Sequence, residues 1–425
     1  MRRLLATLLA LTATAATPAA AQAYDTSDLR RTVAREMRKA SSSSGVLVRD
    51  MGANRDLYAK RARNTRIPAS VQKLYTTSTA LLRLGPGTTL DTAAVTGGVV
   101  RDGVLRGDLV LVGGGDPAFS PKTAAKLARA VRDTGIRRIT GAVVGDESVF
   151  DTRRSGCCRG YDSDLGGVLS GLAYDGSTFR GRAQLDAARF AATRFSALLG
   201  VAGVRSSEPS RAGSAPAEAN TIAVVSSPTV RTMIRDVNVP SNNFASEMLL
   251  KMLGARHGGG GSTSRGAAVV EKTLDDIAVR PRAADGSGLS RRNRTSPRDV
   301  VRLLERMDLP DVQGAFRASL ANAGQTGTVR RRLRGTPAYG RCRLKTGTLR
   351  GVSSLAGYCR TRGGRDIAFA LLMNRVSSVA DAHAIQDRVA VAIARLDDPP
   401  IAGQPDPEPE PESDSRAPTG GAAPS

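Results

Sequence analysis

A serine and a lysine stand three residues apart in a stretch that has the pattern of a buried helix start. The stretch reads Pro-Ala-Ser-Val-Gln-Lys at residues 68–73. Because positions i and i+3 of a helix share a face, the Ser70 hydroxyl and the Lys73 amine could meet in one cleft. A serine hydroxyl is a weak nucleophile until a base takes its proton, and a buried lysine with a lowered pKa can be that base. The pattern therefore indicates a serine nucleophile that a lysine activates.

This spacing alone is also typical of an ordinary helix start, with Ser70 as the N-cap and Lys73 in solvent. Two motifs farther along the chain favour the catalytic interpretation. The first is Ser-Asn-Asn at residues 241–243, and the second is Lys-Thr-Gly-Thr at residues 345–348. Each adds hydroxyl, amide or amine groups of the kind that an acyl-transfer site uses.

Together the three stretches resemble the motif set of penicillin-binding proteins and class A β-lactamases. Further matching stretches lie at residues 107–117, 242–247, 285–291 and 327–333. With these, the chain resembles the D-alanyl-D-alanine carboxypeptidase/endopeptidase family of low-molecular-mass penicillin-binding proteins, in the branch with domains inserted after the first motif. The resemblance covers most of residues 40–395.

The resemblance implies a catalytic role for three side chains. Ser70 would attack the carbonyl of a terminal D-Ala-D-Ala bond in a peptidoglycan peptide, and Lys73 would accept its proton. Ser241 would relay a proton to the leaving amine, and the backbone N–H groups of Ser70 and Thr348 would form the oxyanion hole. Water would then release the acyl group from the enzyme. Penicillins would act as covalent inhibitors, and no cofactor and no metal ion are expected.

The resemblance also implies a substrate-binding set, which consists of Asn243, Lys345, Thr346, Gly347 and Thr348. In this set Asn243 would hold the substrate amide and Lys345 would supply positive potential. Thr346 or Thr348 would bind the substrate carboxylate. An anionic carboxylate needs a cation nearby, and Lys345 suits that requirement.

The elements around these motifs predict an α/β (α+β) protein, and the resemblance implies a penicillin-binding-protein/β-lactamase-like transpeptidase domain. Its antiparallel sheet would be flanked by helices and would carry an inserted smaller α/β domain. An apolar row at helical spacing (Leu29, Val33 and Met37) predicts a first helix, and residues 46–48 and 57–58 predict a hairpin. The catalytic domain is expected at 24–87 and 229–396, and the inserted domain at 88–228. Within the insert we expect one strand over 139–144.

Three strands are predicted near the end of the chain, at 343–348 with a break at the glycine, at 353–360 and at 367–373. In the hairpin that the first two would form, Cys342 and Cys359 fall opposite each other, which predicts a disulfide bond. The alternative is that each of them pairs with Cys157 or Cys158. A closing helix is expected over 379–396.

The two ends and the charge of the chain bear on its location. Residues 1–23 have the charged start, short apolar run and small-residue cleavage site of a signal peptide. The mature protein is therefore expected to be secreted or otherwise extracytoplasmic, in a periplasm or cell wall. No transmembrane segment is expected in it. The acidic, Pro-rich residues 397–425 are expected to be disordered. The formal net charge of +23 favours anionic wall polymers as partners, and export disfavours nucleic acid.

Three other functions fit the sequence less well. A Ser-His-Asp hydrolase is disfavoured because the chain has only two histidines, His257 and His383, and neither lies in a motif. A β-lactamase would need a carboxylate that positions water, and Glu247 is expected to have a capping or ion-pair role instead. A non-catalytic wall-binding or penicillin-sensing protein would not need Lys73 or Ser241.

The interval between the first two motifs is shorter than in larger family members, so cleavage of peptide cross-links stays an open alternative.

Overall fold

The structure is a computed structural model that describes residues 23–156 and 162–400. Its α-helices are α1 (Thr26–Lys39), α2 (Gln72–Leu84), α3 (Pro121–Asp133), α4 (Ala187–Val201), α5 (Val230–Asn238), α6 (Asn243–His257), α7 (Thr263–Asp275), α8 (Pro297–Arg306), α9 (Pro310–Ser319) and α10 (Val379–Arg395).

The strands are β1 (Ser44–Asp50), β2 (Arg55–Lys60), β3 (Asp91–Thr96), β4 (Val99–Arg101), β5 (Val104–Arg106), β6 (Leu109–Val112), β7 (Arg138–Ile139), β8 (Val143–Asp146), β9 (Thr178–Phe179), β10 (Arg182–Ala183), β11 (Arg205–Ser206), β12 (Arg211–Ala212), β13 (Asn220–Ser226), β14 (Ala321–Asn322), β15 (Cys342–Leu349), β16 (Val352–Arg360) and β17 (Asp366–Asn374). One antiparallel sheet has the order β14-β15-β16-β17-β1-β2. This arrangement confirms the predicted antiparallel sheet with flanking helices.

Helices cover both faces of this sheet, because alternate residues of its central strands are apolar on both sides. On β17, Phe369 and Leu371 pack in one core with side chains of α1 and α10, which include Leu29 and Ile393. The intervening residues Ala370 and Leu372 belong to a second core with α2 and α5 to α8. The site-bearing helix α2 is therefore held against a buried sheet.

The hairpin of β15 and β16 confirms the predicted disulfide. Cys342 lies opposite Cys359 in the strand register, and their sulfur atoms are bonded. The expected break at Gly347 is wrong: β15 runs through it, and Gly347 pairs with Ser354. The glycine at this position allows β15 to pass close to the start of α2, and it does not end the strand. Cys157 and Cys158 lie outside the described residues, as do residues 1–22 and 401–425.

The segment from β3 to β13 forms two smaller sheets, and a two-stranded one of β9 and β10, together with α3 and α4. One sheet has the order β12-β8-β6-β3-β13 and the other β11-β7-β5-β4, and α3 and α4 share a core of their own with this segment. The single strand expected over 139–144 is wrong, because β7 and β8 are separate and belong to different sheets. The domain limits at 88 and 228 stay a prediction.

The described helices include none that is long and apolar enough to cross a membrane.

Candidate active site

Ser70 and Lys73 lie at the start of α2, where the chain enters through a 3₁₀ turn at Ala69–Val71. The turn leaves Ser70 half-buried while the following residues enter the core, so Lys73 is fully buried. The Nζ atom of Lys73 lies 2.9 Å from the Oγ atom of Ser70. The predicted meeting of hydroxyl and amine on one face of the helix is present.

Three acceptors surround the Lys73 amine. Besides Ser70, it contacts Oδ1 of Asn243 at 2.6 Å and the carbonyl oxygen of Ser287 at 2.5 Å. Burial lowers the pKa of Lys73 to about 7, against the opposing charges of Asp285 and Glu247. A neutral amine has two N–H donors and one lone pair. It can donate to Asn243 and Ser287 while its lone pair accepts the Ser70 proton.

Ser241 and Lys345 form a second hydroxyl–amine pair. The Lys345 amine donates to the Ser241 Oγ atom at 2.9 Å and to the Thr346 carbonyl at 2.9 Å. Lys345 is fully buried on β15, and burial lowers its pKa well below its usual value, with the charge of Lys73 adding to this effect. Ser241 has a φ of 64°, which turns the chain just before Asn242 caps α6. The predicted Ser241 and Lys345 are thus brought together.

The remaining members of the substrate-binding set lie on β15. The Thr346 hydroxyl contacts the Thr328 hydroxyl at 2.7 Å, and Thr348 is exposed. A Cβ atom at Gly347 would lie 2.7 Å from the Pro68 carbonyl and 3.0 Å from the Ser70 nitrogen. The glycine lets β15 approach the start of α2, which brings the backbone of Thr348 towards that of Ser70.

Asn243 connects the site to the inserted segment. Its Oδ1 atom accepts from Lys73, and its Nδ2 atom donates to the Asp164 carbonyl at 2.7 Å. Asp164 lies in the 3₁₀ turn Ser163–Leu165, so this segment contacts a residue that also contacts Lys73. The expected role of Asn243 in holding a substrate amide stays a prediction.

Glu247 departs from its expected capping or ion-pair role. It is fully buried one turn after Asn243, and its Oε1 atom accepts from the backbone N–H groups of Gly286 and Ser287 at 2.9 and 2.7 Å. Its Oε2 atom has no hydrogen-bond partner among the described residues. Burial, and next the charge of Asp285, raise the pKa of Glu247 to about 7. The carboxyl group thus fixes the loop whose carbonyl faces Lys73.

Sequence reasoning assigned no role to this loop or to Thr328. The stretches at 285–291 and 327–333 contribute to the family resemblance only as sequence patterns. Asp285 accepts from the backbone N–H groups of Gly288 at 2.8 Å and Ser290 at 2.5 Å, which closes the loop on itself. The Asp-Gly-Ser-Gly sequence predicts a tight loop, which the structure confirms, but the sequence gives no sign that the loop faces Lys73.

The hydrogen bonds of Ser70, Lys73, Ser241 and Lys345 within the described residues involve no imidazole. Nor does this part of the chain bring together three or more His, Cys, Asp or Glu side chains that could hold a metal ion. The arrangement is suited to acyl transfer that runs on amines and hydroxyl groups.

Comparisons with known proteins agree with this geometry. The family model of the D-Ala-D-Ala carboxypeptidase 3 (S13) family matches residues 28–164 and 169–396. A D-alanyl-D-alanine carboxypeptidase of Actinomadura sp. (strain R39) is 29% identical over 439 residues, which cover 83% of this chain and 81% of that protein.

Two solved structures have the same fold. Penicillin-binding protein 4 of Haemophilus influenzae superposes with a TM-score of 0.72 at 20% identity, over 84% of this chain and 97% of that one. A penicillin G-acylated predatory endopeptidase of Bdellovibrio bacteriovorus, in complex with an immunity protein, has a TM-score of 0.54 at 17% identity, over 81% of this chain and 90% of that one.

Proposed function

The chain belongs to the D-Ala-D-Ala carboxypeptidase 3 (S13) family, and from this premise we propose that it is a serine-type carboxypeptidase that removes the terminal D-Ala from peptidoglycan stem peptides. The observation that carries the proposal is the buried Lys73 amine 2.9 Å from the Ser70 hydroxyl, with a pKa of about 7. A general base is most effective when its pKa lies near the working pH.

Acylation begins when neutral Lys73 takes the proton of Ser70. The Oγ atom of Ser70 then adds to the carbonyl carbon of the penultimate D-Ala and forms a tetrahedral oxyanion. The backbone N–H groups of Ser70 and Thr348 donate to this oxyanion, and the close approach at Gly347 supports their pairing. A preorganised donor of this kind contributes about 3–4 kcal/mol to transition-state stabilisation.

Collapse of the intermediate breaks the peptide bond and expels the terminal D-Ala amine, which needs a proton. Lys73 now carries the proton from Ser70. It returns this proton through the Ser241 hydroxyl, which gives its own proton to the amine and takes up the one from Lys73, so that Lys73 is neutral again. The carboxylate of the leaving residue lies by Lys345, Thr346 and Thr348, whose amine and hydroxyl groups can donate hydrogen bonds to it. Water attacks the acyl-enzyme in the same way, with neutral Lys73 as its base.

The same chemistry would open a peptide cross-link if a second stem peptide could occupy the leaving-group side. The fold shared with a predatory endopeptidase agrees with such an activity without assigning it. A β-lactamase is disfavoured because the Oε1 atom of Glu247 is engaged by two backbone N–H groups inside the protein. A pure binding protein is disfavoured because it would have no use for a lysine base.

The location and partners of the protein follow from the proposed substrate. Peptidoglycan lies outside the cytoplasm, and the signal-peptide pattern of residues 1–23 fits export to it. Penicillins acylate Ser70 as substrate analogues, and the net charge of +23 favours contact with anionic wall polymers.

Purified protein incubated with monomeric and cross-linked muropeptides tests the proposal by mass analysis of the products. We expect loss of one D-Ala from the monomer and a covalent penicillin adduct on Ser70, with both absent in Ser70→Ala. Intact monomer together with no adduct would contradict the proposal. Conversion of the cross-linked substrate would add endopeptidase activity.

A further inference from the structure

Residues from the two ends of the folded chain lie against each other. Tyr24 and Asp397 exchange two hydrogen bonds, since the Tyr24 backbone N–H donates to the Asp397 Oδ2 atom at 2.9 Å and the Asp397 N–H donates to the Tyr24 carbonyl at 2.9 Å. Beside them, the backbone N–H and the hydroxyl of Thr26 donate to the Oδ2 atom of Asp398 at 3.0 and 2.5 Å. We call residues 24–26 and 397–399 the terminal clasp.

The C-terminal side of the terminal clasp is anchored in the fold. Arg365 is only 5% exposed, and its Nε atom donates to the Pro399 carbonyl at 2.7 Å while its guanidinium lies 3.7 Å from the Asp398 carboxylate. A Cβ atom at Gly363 would lie 2.2 Å from the Asp398 carbonyl oxygen and 2.4 Å from that of Asp397, so the glycine lets the chain pass close by. The C-terminal segment is therefore held in place by contacts that do not involve the N-terminal one.

The N-terminal side begins at Tyr24, directly before α1. The Tyr24 hydroxyl donates to the Asp28 carbonyl at 3.2 Å, and the guanidinium carbon of Arg395 lies 4.8 Å from the centroid of the Tyr24 ring. The ring packs against the core that α1 and α10 share. Ala23, in contrast, is exposed, and within the described residues the hydrogen bonds of this end begin at Tyr24.

The peptide bond before Tyr24 is one of two places where a signal peptidase could cut. Such enzymes cut after a sequence of the Ala-x-Ala type. The chain has Ala-Ala-Ala at residues 19–21 and Ala-Gln-Ala at residues 21–23. Cleavage at the first place would leave Gln22 and Ala23 in front of the fold, with the Tyr24 nitrogen still in an amide. Cleavage at the second place makes the nitrogen atom that Asp397 holds the end of the chain.

Hydrolysis of the bond between Ala23 and Tyr24 changes the charge of this nitrogen atom. The hydroxyl group of one water molecule goes to the Ala23 carbonyl carbon, and the remaining hydrogen goes to the Tyr24 nitrogen. The new carboxyl group then loses a proton and the new amine gains one. Since an α-amino group has a pKa of about 7.7–8.0, it is mostly an ammonium ion at neutral pH. A cation then occupies the position 2.9 Å from the Asp397 carboxylate.

The surroundings of this atom favour a positive charge. Asp25 caps α1 and Asp28 completes its capping box, so these two carboxylates lie at the same end of the helix as those of Asp397 and Asp398. The Oδ1 atom of Asp397 faces Arg362 at 3.5 Å, whereas its Oδ2 atom faces the N-terminal side of the clasp. An ammonium group has three N–H donors where an amide has one, and a hydrogen bond between two charged groups is the stronger kind.

We propose that removal of the signal peptide after Ala23 completes the terminal clasp, because the ammonium group that it creates on Tyr24 forms an ion pair with Asp397. The mature protein has this ion pair and its precursor lacks it. The pair fastens α1 to the segment that follows α10, and these two helices cover one face of the six-stranded sheet that carries Lys345.

The N-terminus of the exported protein tests the place of cleavage. The full chain is expressed in a bacterial host with its own signal peptide, and the protein recovered outside the cytoplasm is analysed by intact mass and N-terminal sequencing. We expect a chain that begins at Tyr24. A chain that begins at Gln22 would overturn the proposal, because its Tyr24 nitrogen carries no charge.

Hydrogen–deuterium exchange tests the ion pair in two purified proteins, which consist of residues 24–425 and 22–425. Each is released from a fusion by a protease that leaves no extra residue, so the two differ at the clasp in the charge on the Tyr24 nitrogen. Each is compared with its Asp397→Asn variant. The amide of that variant keeps an oxygen atom for the Tyr24 N–H group but carries no charge.

The exchange of the peptide 394–400 reports on opening of the clasp, because it contains the Asp397 N–H that is bonded to the Tyr24 carbonyl. We expect Asp397→Asn to speed this exchange about three-fold more in the 24–425 protein than in the 22–425 protein, which is the size of effect typical of a partly exposed ion pair. The exchange of β17 serves as the internal reference. An equal effect of Asp397→Asn in both proteins would overturn the proposal.

Asp398→Asn is the matched control. Asp398 lies in the same segment and accepts from Thr26 instead of Tyr24, so its loss should change the exchange by the same factor in both proteins. If both aspartate variants depend on the N-terminus in the same way, the two extra residues act on the clasp by another route, and the ion pair is rejected.

Discussion

The Oε1 atom of Glu247 lies 2.7 Å from the backbone nitrogen of Ser287, and the carbonyl of Ser287 lies 2.5 Å from the Lys73 amine. A buried carboxyl group on α6 thus fixes the loop that holds the proposed base. Because α6 also supplies Asn243 to the same amine, one helix positions two of the three acceptors around Lys73.

The Glu247→Gln variant tests whether this carboxyl also tunes Lys73. The amide keeps an oxygen for the N–H groups of Gly286 and Ser287 but carries no charge. An ionised Glu247 raises the pKa of Lys73, so its loss should lower that pKa below about 7. In a plot of the penicillin acylation rate against pH, the part where the rate rises should therefore move to lower pH.

Glu271→Gln is the matched control, because Glu271 also accepts a backbone N–H, that of Ala283 at 2.8 Å, without being among the groups that shift Lys73. Its profile should coincide with that of the wild type. If the rising part of the rate–pH profile stays in place or moves to higher pH in Glu247→Gln, the electrostatic role of Glu247 is rejected and only its structural role is left.

Lys73→Arg should remove the base while it keeps the positive charge. A guanidinium stays protonated at all relevant pH values, so it cannot accept the Ser70 proton. We expect acylation at pH 7 to fall by about 10²–10⁴-fold, as is usual for the loss of a general base. In the wild type the rate should rise as pH passes through about 7, where Lys73 loses its proton.

Intact-protein mass measured over time after penicillin is added gives these rates. Lys251→Arg is a control for enlarging a buried lysine, because Lys251 is also fully buried but is paired with Asp151 at 2.5 Å. Acylation of Lys73→Arg within ten-fold of the wild type would show that another group serves as base.

Ser241 can be tested with two variants that separate chemistry from backbone strain. Both Ser241→Ala and Ser241→Gly remove the hydroxyl that accepts from Lys345. Only glycine relieves the left-handed φ of 64°, which costs about 1 kcal/mol for other residues. We expect similar losses of kcat of about 10²-fold in both, with a higher free energy of unfolding for the glycine variant. If kcat instead falls more in Ser241→Ala than in Ser241→Gly, in step with the free energy of unfolding, the result would argue against a proton relay.

Gly347→Ala should disturb the approach of β15 to the start of α2. The added Cβ atom would lie 2.7 Å from the Pro68 carbonyl and 3.0 Å from the Ser70 nitrogen, so the proposed oxyanion donors must separate. Since one such donor is worth about 10²–10³ in rate, we expect acylation to slow by at least ten-fold. Gly200→Ala, where no atom lies within 4 Å of the new Cβ, should leave acylation unchanged.

The disulfide between Cys342 and Cys359 should stabilise the fold by limiting the unfolded chain. It closes a loop with a sequence separation of 17, for which the entropy of closure is worth about 3 kcal/mol. Replacing both cysteines with alanine should lower the free energy of unfolding by about this amount in a denaturant titration. Reductant should then lower the Tm of the wild type and not that of the variant, and equal sensitivity of both would contradict the assignment.

The Ser70–Lys73 pair and the disulfide could be predicted from sequence because they depend on short, local spacing, whereas the roles of Ser241 and Lys345 were implied by the family resemblance. Ser70 and Lys73 face each other because three residues make nearly one helical turn, and Cys342 meets Cys359 because a hairpin reflects positions about its turn. The predictions are wrong where the role of a residue depends on segments that are distant in sequence. The sequence predicts a strand break at Gly347, although this glycine allows the contact with Pro68. It also predicts one strand where β7 and β8 belong to different sheets.

By itself, the sequence determined which groups were available for chemistry and in what order, from Ser70 to Lys345, since side-chain identity is a local property. Tertiary structure alone decided that the amines of Lys73 and Lys345 are buried away from solvent. It also decided that Glu247 supports a loop forty residues away and that six arginines line one cavity. The physical reason is that desolvation and charge pairing depend on which distant segments pack around a group, and the packing of α2, α6 and β15 settles that.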